Sequence, residues 1–127
     1  MESDGEGPAR THKDLRVWQK GVELVKVVYE LTGRFPKSET YGLTMQLRRC
    51  AVSIPSNIAE GFGRHTDAEF ARFLLIARGS LFELDTQALI ARELGLMRAE
   101  DYHRVADMVE EEQRMLDPFI RHLQGRA

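Results

Sequence analysis

The chain has 127 residues, of which 43% are hydrophobic and 30% charged, and its formal net charge is −2. These values are typical of one globular domain, and the small net charge excludes a protein drawn onto nucleic acid or a membrane by its overall field. The single cysteine, Cys50, excludes an intramolecular disulfide and favours a reducing compartment, and no run of 18 apolar residues is present to cross a membrane.

The N-terminal segment is acidic and glycine-rich, and it lacks the basic start and apolar stretch of a signal peptide. We therefore predict a disordered tail over residues 1–11 and one helical domain over residues 12–124. The expected location is the cytoplasm, without membrane contact.

Helix one is predicted over residues 13 to 33, with Gly33 and Pro36 ending it. Apolar residues recur along it at helical spacing and predict the face that packs in the core. These residues are Leu15, Trp18, Val22, Val25 and Tyr29.

Helix two is predicted by apolar residues at helical spacing from Leu47 to Phe62, with glycines 61 and 63 at its end. Pro55 lies inside this pattern. An interior proline removes one backbone hydrogen bond and clashes with the preceding turn, at a typical cost of about 3 kcal/mol. We therefore predict that helix two is kinked at Pro55.

Helices three and four are marked by their ends. Thr66 and Glu69 match a capping box at the start of helix three, and Gly95 is suited to close it. Its predicted core residues are Phe70, Leu74, Ala77, Leu81, Leu84, Ala88 and Ala91. Helix four is predicted from about Ala99 to Leu123, and its inward residues are Tyr102, Val105, Val109, Leu116, Phe119 and Leu123.

The connections between the predicted helices are short, so helices that follow one another in sequence should be antiparallel. The predicted fold class is all-α: an up-down-up-down antiparallel four-helix bundle with a Pro-kinked second helix.

Helices one and three carry more apolar surface than one core requires. A second stripe on helix one lies about 110° from the first, and helix three has a stripe nearly opposite its core face. Large exposed apolar stripes mark interfaces, so we favour self-association over a monomer with a wider internal core. The predicted interface residues are Val17, Leu24, Val28, Leu75, Phe82 and Leu89.

Positive charge is concentrated in the first half of the chain. Residues 10–65 contain 10 Lys/Arg and 5 Asp/Glu, a net charge of +5, whereas residues 66–127 contain 8 and 12, a net charge of −4. The candidate phosphate-binding residues are Lys13, Arg16, Lys20, Lys26, Arg48, Arg49 and Arg64. The alternative is a solvated helix face paired locally with Glu23 and Glu30, and the antiparallel register directs Arg48 towards Glu83.

A polar cluster is predicted beside Pro55. It consists of Ser53, Ser56, Asn57, Glu60, Arg78 and Ser80. Such a cluster forms either a ligand pocket or a set of groups that satisfy freed backbone atoms and fix the helix pairing. We favour the structural interpretation.

No catalytic constellation is identified in the sequence. Di-metal sites in four-helix bundles need two Glu-x-x-His motifs, and this chain has one, formed by Glu100 and His103. Cys50 falls on the core face without a nearby histidine. We therefore predict no metal, no cofactor and no catalytic residue.

Several segments resemble the four-helix-bundle family named for the 23S rRNA intervening sequence, from about residue 12 to 122. The most specific is the string Ser53-Ile54-Pro55-Ser56-Asn57-Ile58-Ala59-Glu60-Gly61. Others are Asp14-Leu15-Arg16-Val17-Trp18-Gln19-Lys20, Phe35-Pro36, Tyr41-Gly42-Leu43-Thr44, Gln46-Leu47-Arg48-Arg49 and Ala77-Arg78-Gly79-Ser80-Leu81-Phe82-Glu83-Leu84.

The resemblance implies an up-and-down bundle that assembles as a ring-like homo-pentamer. A related branch, the accessory variability determinant of diversity-generating retroelements, works with a reverse transcriptase and binds nucleic acid. We therefore expect a non-enzymatic homo-oligomeric scaffold or adaptor that engages RNA, DNA, or a reverse transcriptase or other nucleic-acid enzyme through a basic face. The alternative is a small metal- or ligand-binding bundle enzyme.

Overall fold

The computed structural model describes residues 8–126. The regular elements of this range are helical. Short 3-10 turns span His12–Asp14 and Lys37–Glu39, and the α-helices are α1 (Arg16–Thr32), α2 (Leu43–Phe62), α3 (Asp67–Glu93) and α4 (Ala99–Arg126). The all-α class is confirmed. In the described part of the chain, no helix is both long and apolar enough to span a bilayer.

Residues 1–7 of the predicted tail lie outside the described residues. Of the remaining four, Arg10 and Thr11 donate their backbone N–H groups to the Asp14 carboxylate at 2.9 and 3.2 Å. The Thr11 side chain in turn accepts from the Lys13 backbone N–H at 3.1 Å. These bonds form a capping box that fixes the turn before α1.

Each α-helix packs on its sequence neighbour, and α1 closes the bundle against α4. Two contacts order α1 against α2. Gly21 near the start of α1 lies beside Pro55 in the second half of α2, and Thr32 at the end of α1 meets Arg48 near the start of α2. The four-helix bundle is thereby confirmed as the architecture.

The ends of α3 show why the chain turns there. The Thr66 hydroxyl accepts from the Glu69 backbone N–H at 3.1 Å, as predicted, while the Glu69 carboxylate accepts from Arg72. At the other end Gly95 has φ +76°, and the Leu96 N–H donates to the Ala91 carbonyl at 2.9 Å. This is a Schellman motif, in which a left-handed glycine reverses the chain towards α4.

Pro55 lies inside α2, which is assigned as one helix from end to end. The proline is buried, and a Cβ placed on Gly21 of α1 would lie 3.4 Å from the Pro55 Cβ. The glycine therefore provides the space in which α1 approaches the proline ring. The kink itself stays a prediction.

The core face of α1 differs from the predicted one. Val17, Leu24 and Val28 are only 1–4% exposed, whereas Tyr29 of the predicted core stripe is 44% exposed. Because Gly21 lies on the same face as these buried residues, this is the face that can pack closest to Pro55. The assignment of Val17, Leu24 and Val28 to an oligomer interface was wrong, since they belong to the bundle's own core.

The core faces of α3 and α4 match the predicted ones more closely. All seven predicted core residues of α3 are buried, as are Val105, Val109, Leu116 and Leu123 of α4. On α4, Ile120 is buried, while Tyr102 and Phe119 are partly buried. The α4 core face also includes Glu112, which the apolar pattern did not identify.

Candidate interaction surfaces

An apolar stripe runs along the outer face of α3. Leu75, Phe82 and Leu89 are between 39% and 44% exposed and are spaced seven residues apart, so they share one side of the helix. The stripe is about 21 Å long at 1.5 Å per residue. Ile76 and Ile90 extend the exposed apolar surface beside it. The predicted interface residues of helix three are thus at the surface.

A groove lies beside α2 on the side of α1. Its volume is about 490 Å³, and it is lined by Tyr29, Thr40, Thr44, Met45, Arg48, Arg49, Val52 and Ser53. Among these, Tyr29, Met45 and Val52 are exposed apolar or aromatic side chains. The groove therefore combines an apolar surface with two guanidinium groups.

Arg48 is anchored to α1. Its Nε donates to the Thr32 hydroxyl at 2.9 Å, and its guanidinium lies 4.4 Å from the centre of the Tyr29 ring. The predicted direction towards Glu83 was wrong, because these partners on α1 hold the side chain on the other side of α2. Arg48 orients Tyr29 at the groove edge and has little freedom to meet phosphate.

Two more of the seven basic candidates are paired within the bundle. Lys20 lies 3.3 Å from Glu111 and 3.5 Å from Glu23, and the hydrogen bond to Glu111 raises the pKa of Lys20. Arg64 bonds Glu60 at 2.6 Å. Arg16 is exposed in the first turn of α1.

Lys13, Lys26 and Arg49 are exposed and form no ion pair with another residue of the range 8–126. They lie on three different elements, the turn before α1, α1 and α2. The structure therefore distributes the seven candidates over several faces and leaves these three side chains available to an external anion.

The predicted polar cluster comes together only in part. The Ser53 hydroxyl donates to the Cys50 carbonyl at 2.6 Å and shares a 2.8 Å hydrogen bond with the Ser80 hydroxyl. Asn57 donates to the Ser53 carbonyl at 2.8 Å. The Ser53–Ser80 bond joins α2 to α3 while the other two lie within α2, and this arrangement supports the structural interpretation.

The remaining members of that cluster point elsewhere. The Arg78 Nε lies 2.9 Å from the Asp117 carboxylate of α4, and its guanidinium lies 5.3 Å from the centre of the Phe82 ring. Glu60 pairs with Arg64, and Ser56 is exposed. Long side chains at these positions can reach partners on other elements, which register alone does not predict.

Cys50 is a buried thiol. Its sulfur donates to the Ser80 carbonyl at 3.1 Å. Burial, followed by the nearby charge of Glu83, raises the pKa of the Cys50 thiol to about 12. Because the thiolate is the reactive form, this cysteine is inert near neutral pH.

Glu112 was missed by the sequence analysis. It is 1% exposed, and neither carboxyl oxygen has a hydrogen-bond partner among the described residues. Burial, followed by the charge of Glu111, raises the pKa of Glu112 to about 8, while Lys20 opposes the shift. The spacing from Val105 through Val109 and Glu112 to Leu116 could have identified it, since it places the glutamate on the core face.

Metal ligands do not gather in the described part of the chain, where no three His, Cys, Asp or Glu side chains are close enough to hold an ion. Glu100 lies 3.4 Å from Arg98, and the His103 ring contacts Tyr102.

Comparison with protein families gives one finding. A family model described as 23S rRNA-intervening sequence protein matches residues 13–118, which include α1 to α3 and most of α4. No curated protein matches the chain at a significant level.

Proposed function

Because the family model matches residues 13–118, the chain belongs to the 23S rRNA-intervening sequence protein family, and we propose that it is a non-enzymatic, homo-oligomeric scaffold. The observation that carries the proposal is the α3 stripe of Leu75, Phe82 and Leu89. Exposed leucine and phenylalanine side chains that are aligned opposite a complete core face are not needed to fold the monomer and are typical of an interaction surface. The inert Cys50 thiol also favours a non-enzymatic protein.

The contact that fits best joins the α3 stripe of one copy to the α1–α2 groove of the next. The stripe is apolar and the groove offers it Tyr29, Met45 and Val52, and burying each leucine or phenylalanine contributes about 1.5–3 kcal/mol. Several such side chains offset the cost of association, which is about 4–15 kcal/mol.

A contact between two different surfaces is heterologous, and it closes into a ring when its rotation allows. The resemblance to the family implies five copies. The proposed assembly is therefore a homo-pentamer in which every copy contributes one stripe and one groove.

Phe82→Asp should convert the assembly to monomers, because a carboxylate in the stripe cannot be buried unpaired. Light scattering at micromolar concentration measures the mass, and circular dichroism should show unchanged helix content. Leu94→Asp is the matched control, since Leu94 is also exposed but lies about 120° from the stripe around α3. A monomeric wild-type chain would contradict the proposal.

The pairing of stripe with groove has a sharper test. Val52→Asp should also give monomers, because it places a charge in the groove. Mixing it with Phe82→Asp should then give a one-to-one dimer and nothing larger, since each variant keeps one intact surface. If Val52→Asp alone still assembles fully, the stripe pairs with something other than the groove.

A second proposed role is weak binding of RNA or DNA, or of a reverse transcriptase or other nucleic-acid enzyme. The observation that favours it is that Lys13 and Lys26 are exposed without ion pairs in the described range. Neither lines the groove, so assembly leaves both accessible.

The double substitution Lys13→Glu and Lys26→Glu should weaken the binding of labelled single-stranded RNA by a similar factor for every RNA sequence. The slope of log affinity against log salt should become shallower by about one for each phosphate that the protein no longer neutralises. Fluorescence anisotropy measures both the affinity and its dependence on salt concentration. Arg121→Glu makes an equal change per residue at an exposed position in the acidic half of the chain and should have little effect. Binding that ignores salt and these reversals would argue against a basic face.

A further inference from the structure

Within residues 8–126, Glu112 is a carboxyl group buried in an apolar part of the bundle interior. Glu112 is on the core face of α4, between Val109 and Leu116, and both of its oxygens lack a hydrogen-bond partner within residues 8–126. An ionised carboxylate without partners is among the most costly groups to bury, because the interior cannot replace its hydration. A neutral carboxylic acid costs far less.

The backbone of α1 lies close to this carboxyl, and α2 approaches α1 at the same point. A Cβ on Gly21 of α1 would lie 3.2 Å from Glu112 Oε2 and 3.4 Å from the Cβ of Pro55 of α2. Gly21 is thus the position at which the proline ring of α2 and the carboxyl of α4 converge on α1. The close approach of α2 and of α4 to α1 at Gly21 requires both the missing side chain and a carboxyl without a hydration shell.

The charged groups around Glu112 do not neutralise an ionised form. From α1, Lys20 favours the charged form of Glu112, but its ammonium lies 3.3 Å from Glu111 and 3.5 Å from Glu23. On α4, Glu111 opposes the charged form. Among the described residues of α2 and α3, no charged side chain shifts Glu112, and Pro55 is the α2 residue that faces Gly21 beside it.

We propose that Glu112 is held in the folded bundle as a neutral carboxylic acid, and that its ionisation separates α4 from Gly21 of α1. The carboxylate needs water. It obtains water when the contact between α1 and α4 opens, and this is the contact that completes the bundle. The device converts a rise in pH into a looser bundle.

The sign of the pH dependence follows from the direction of the shift. The pKa of Glu112 is higher in the folded chain, about 8, than its ordinary value of 4.5. The stabilisation from the bound proton is complete below pH 4.5, declines as the unfolded chain loses its proton first, and is exhausted once the pH has passed about 8. Within this window Glu112 lowers the folding equilibrium constant by up to about tenfold per pH unit.

Direct titration tests the protonation state. In protein labelled with 13C at glutamate side chains, the Glu112 carboxyl resonance, identified by its loss in Glu112→Gln, should titrate with a midpoint near 8. The free energy of unfolding of the wild type, measured with urea at fixed protein concentration, should fall between pH 4.5 and 8 relative to that of Glu112→Gln and Glu112→Leu. Glu110→Gln is the matched control and should keep the wild-type slope, because Glu110 is exposed, pairs with Arg114 and does not shift the pKa of Glu112.

Amide hydrogen exchange tests the opening. Above pH 8, protection near Gly21 should be lower in the wild type than in Glu112→Gln at the same pH, while protection near Ala91 of α3 should be equal in the two proteins. A carboxyl midpoint near 4.5, equal unfolding slopes in wild type and Glu112→Gln, or equal protection at Gly21 would each overturn the proposal.

Discussion

Phe70→Ala should lower the free energy of unfolding by about 3–5 kcal/mol, the usual cost of removing a fully buried phenylalanine. Phe70 is 2% exposed and connects three helices at one end of the bundle. Its ring makes edge contacts with Phe62 of α2, at 6.1 Å between ring centres, and with Phe119 of α4, at 5.3 Å. Such pairs add to the effect of burial, so the value should fall in the upper part of the range.

Urea unfolding at fixed protein concentration measures this loss, because assembly makes apparent stability depend on concentration. Tyr41→Ala is the control, since Tyr41 is 87% exposed and should change stability by less than about 0.5 kcal/mol. A loss of under about 1 kcal/mol at Phe70 would mean that the cluster of three rings repacks around the gap.

Gly61→Ala should destabilise the bundle, although alanine is the better helix former. A Cβ on Gly61 would lie 2.8 Å from the Phe73 Cβ and 2.9 Å from Phe70 Cδ1. Both distances are shorter than van der Waals contact, and the Phe73 Cβ is fixed to its backbone. The α2 and α3 helices must therefore move apart, and overpacking of this kind costs about 1–3 kcal/mol.

Gly79→Ala is the matched control for this substitution. Gly79 is also helical, but a Cβ there meets nothing within 4 Å. Alanine at this position should stabilise the chain by about 0.5–1 kcal/mol through helix propensity alone. The two variants should thus change unfolding free energy in opposite directions, and equal effects would show that the approach at Gly61 relaxes without cost.

The sequence was sufficient to predict four helices and the core of α3, because the seven core residues of α3 follow one unbroken face and its second apolar stripe lies nearly opposite. On α1 it was insufficient, since two apolar stripes cover half the circumference and hydropathy ranks them equally. The choice between them depends on how closely α1 can approach Pro55, and Gly21 decides that. Glycine adds nothing to a hydrophobic pattern, so its role emerges only in the packed bundle.

The candidate surfaces likewise include positions that the sequence could predict and a position that it could not. The exposed Leu75, Phe82 and Leu89 could be predicted because they lie opposite a complete core face. The position of Arg48 could not, because its long side chain selects Thr32 and Tyr29 from several partners within reach. Glu112 could be placed on the core face by spacing alone, but patterns that count only apolar residues pass over it.

The order in which the four α-helices contact one another also bears on how fast the chain folds. Every contact between them joins consecutive helices, except the one between α1 and α4. Closing a short turn costs little chain entropy, and chains dominated by such local closures fold in microseconds to milliseconds. The docking of α4 on α1 is then the step that must wait for the longest loop to close. Glu112 faces Gly21 across the interface between α1 and α4. Because this interface forms late, the protonation of Glu112 should affect the unfolding rate more than the folding rate.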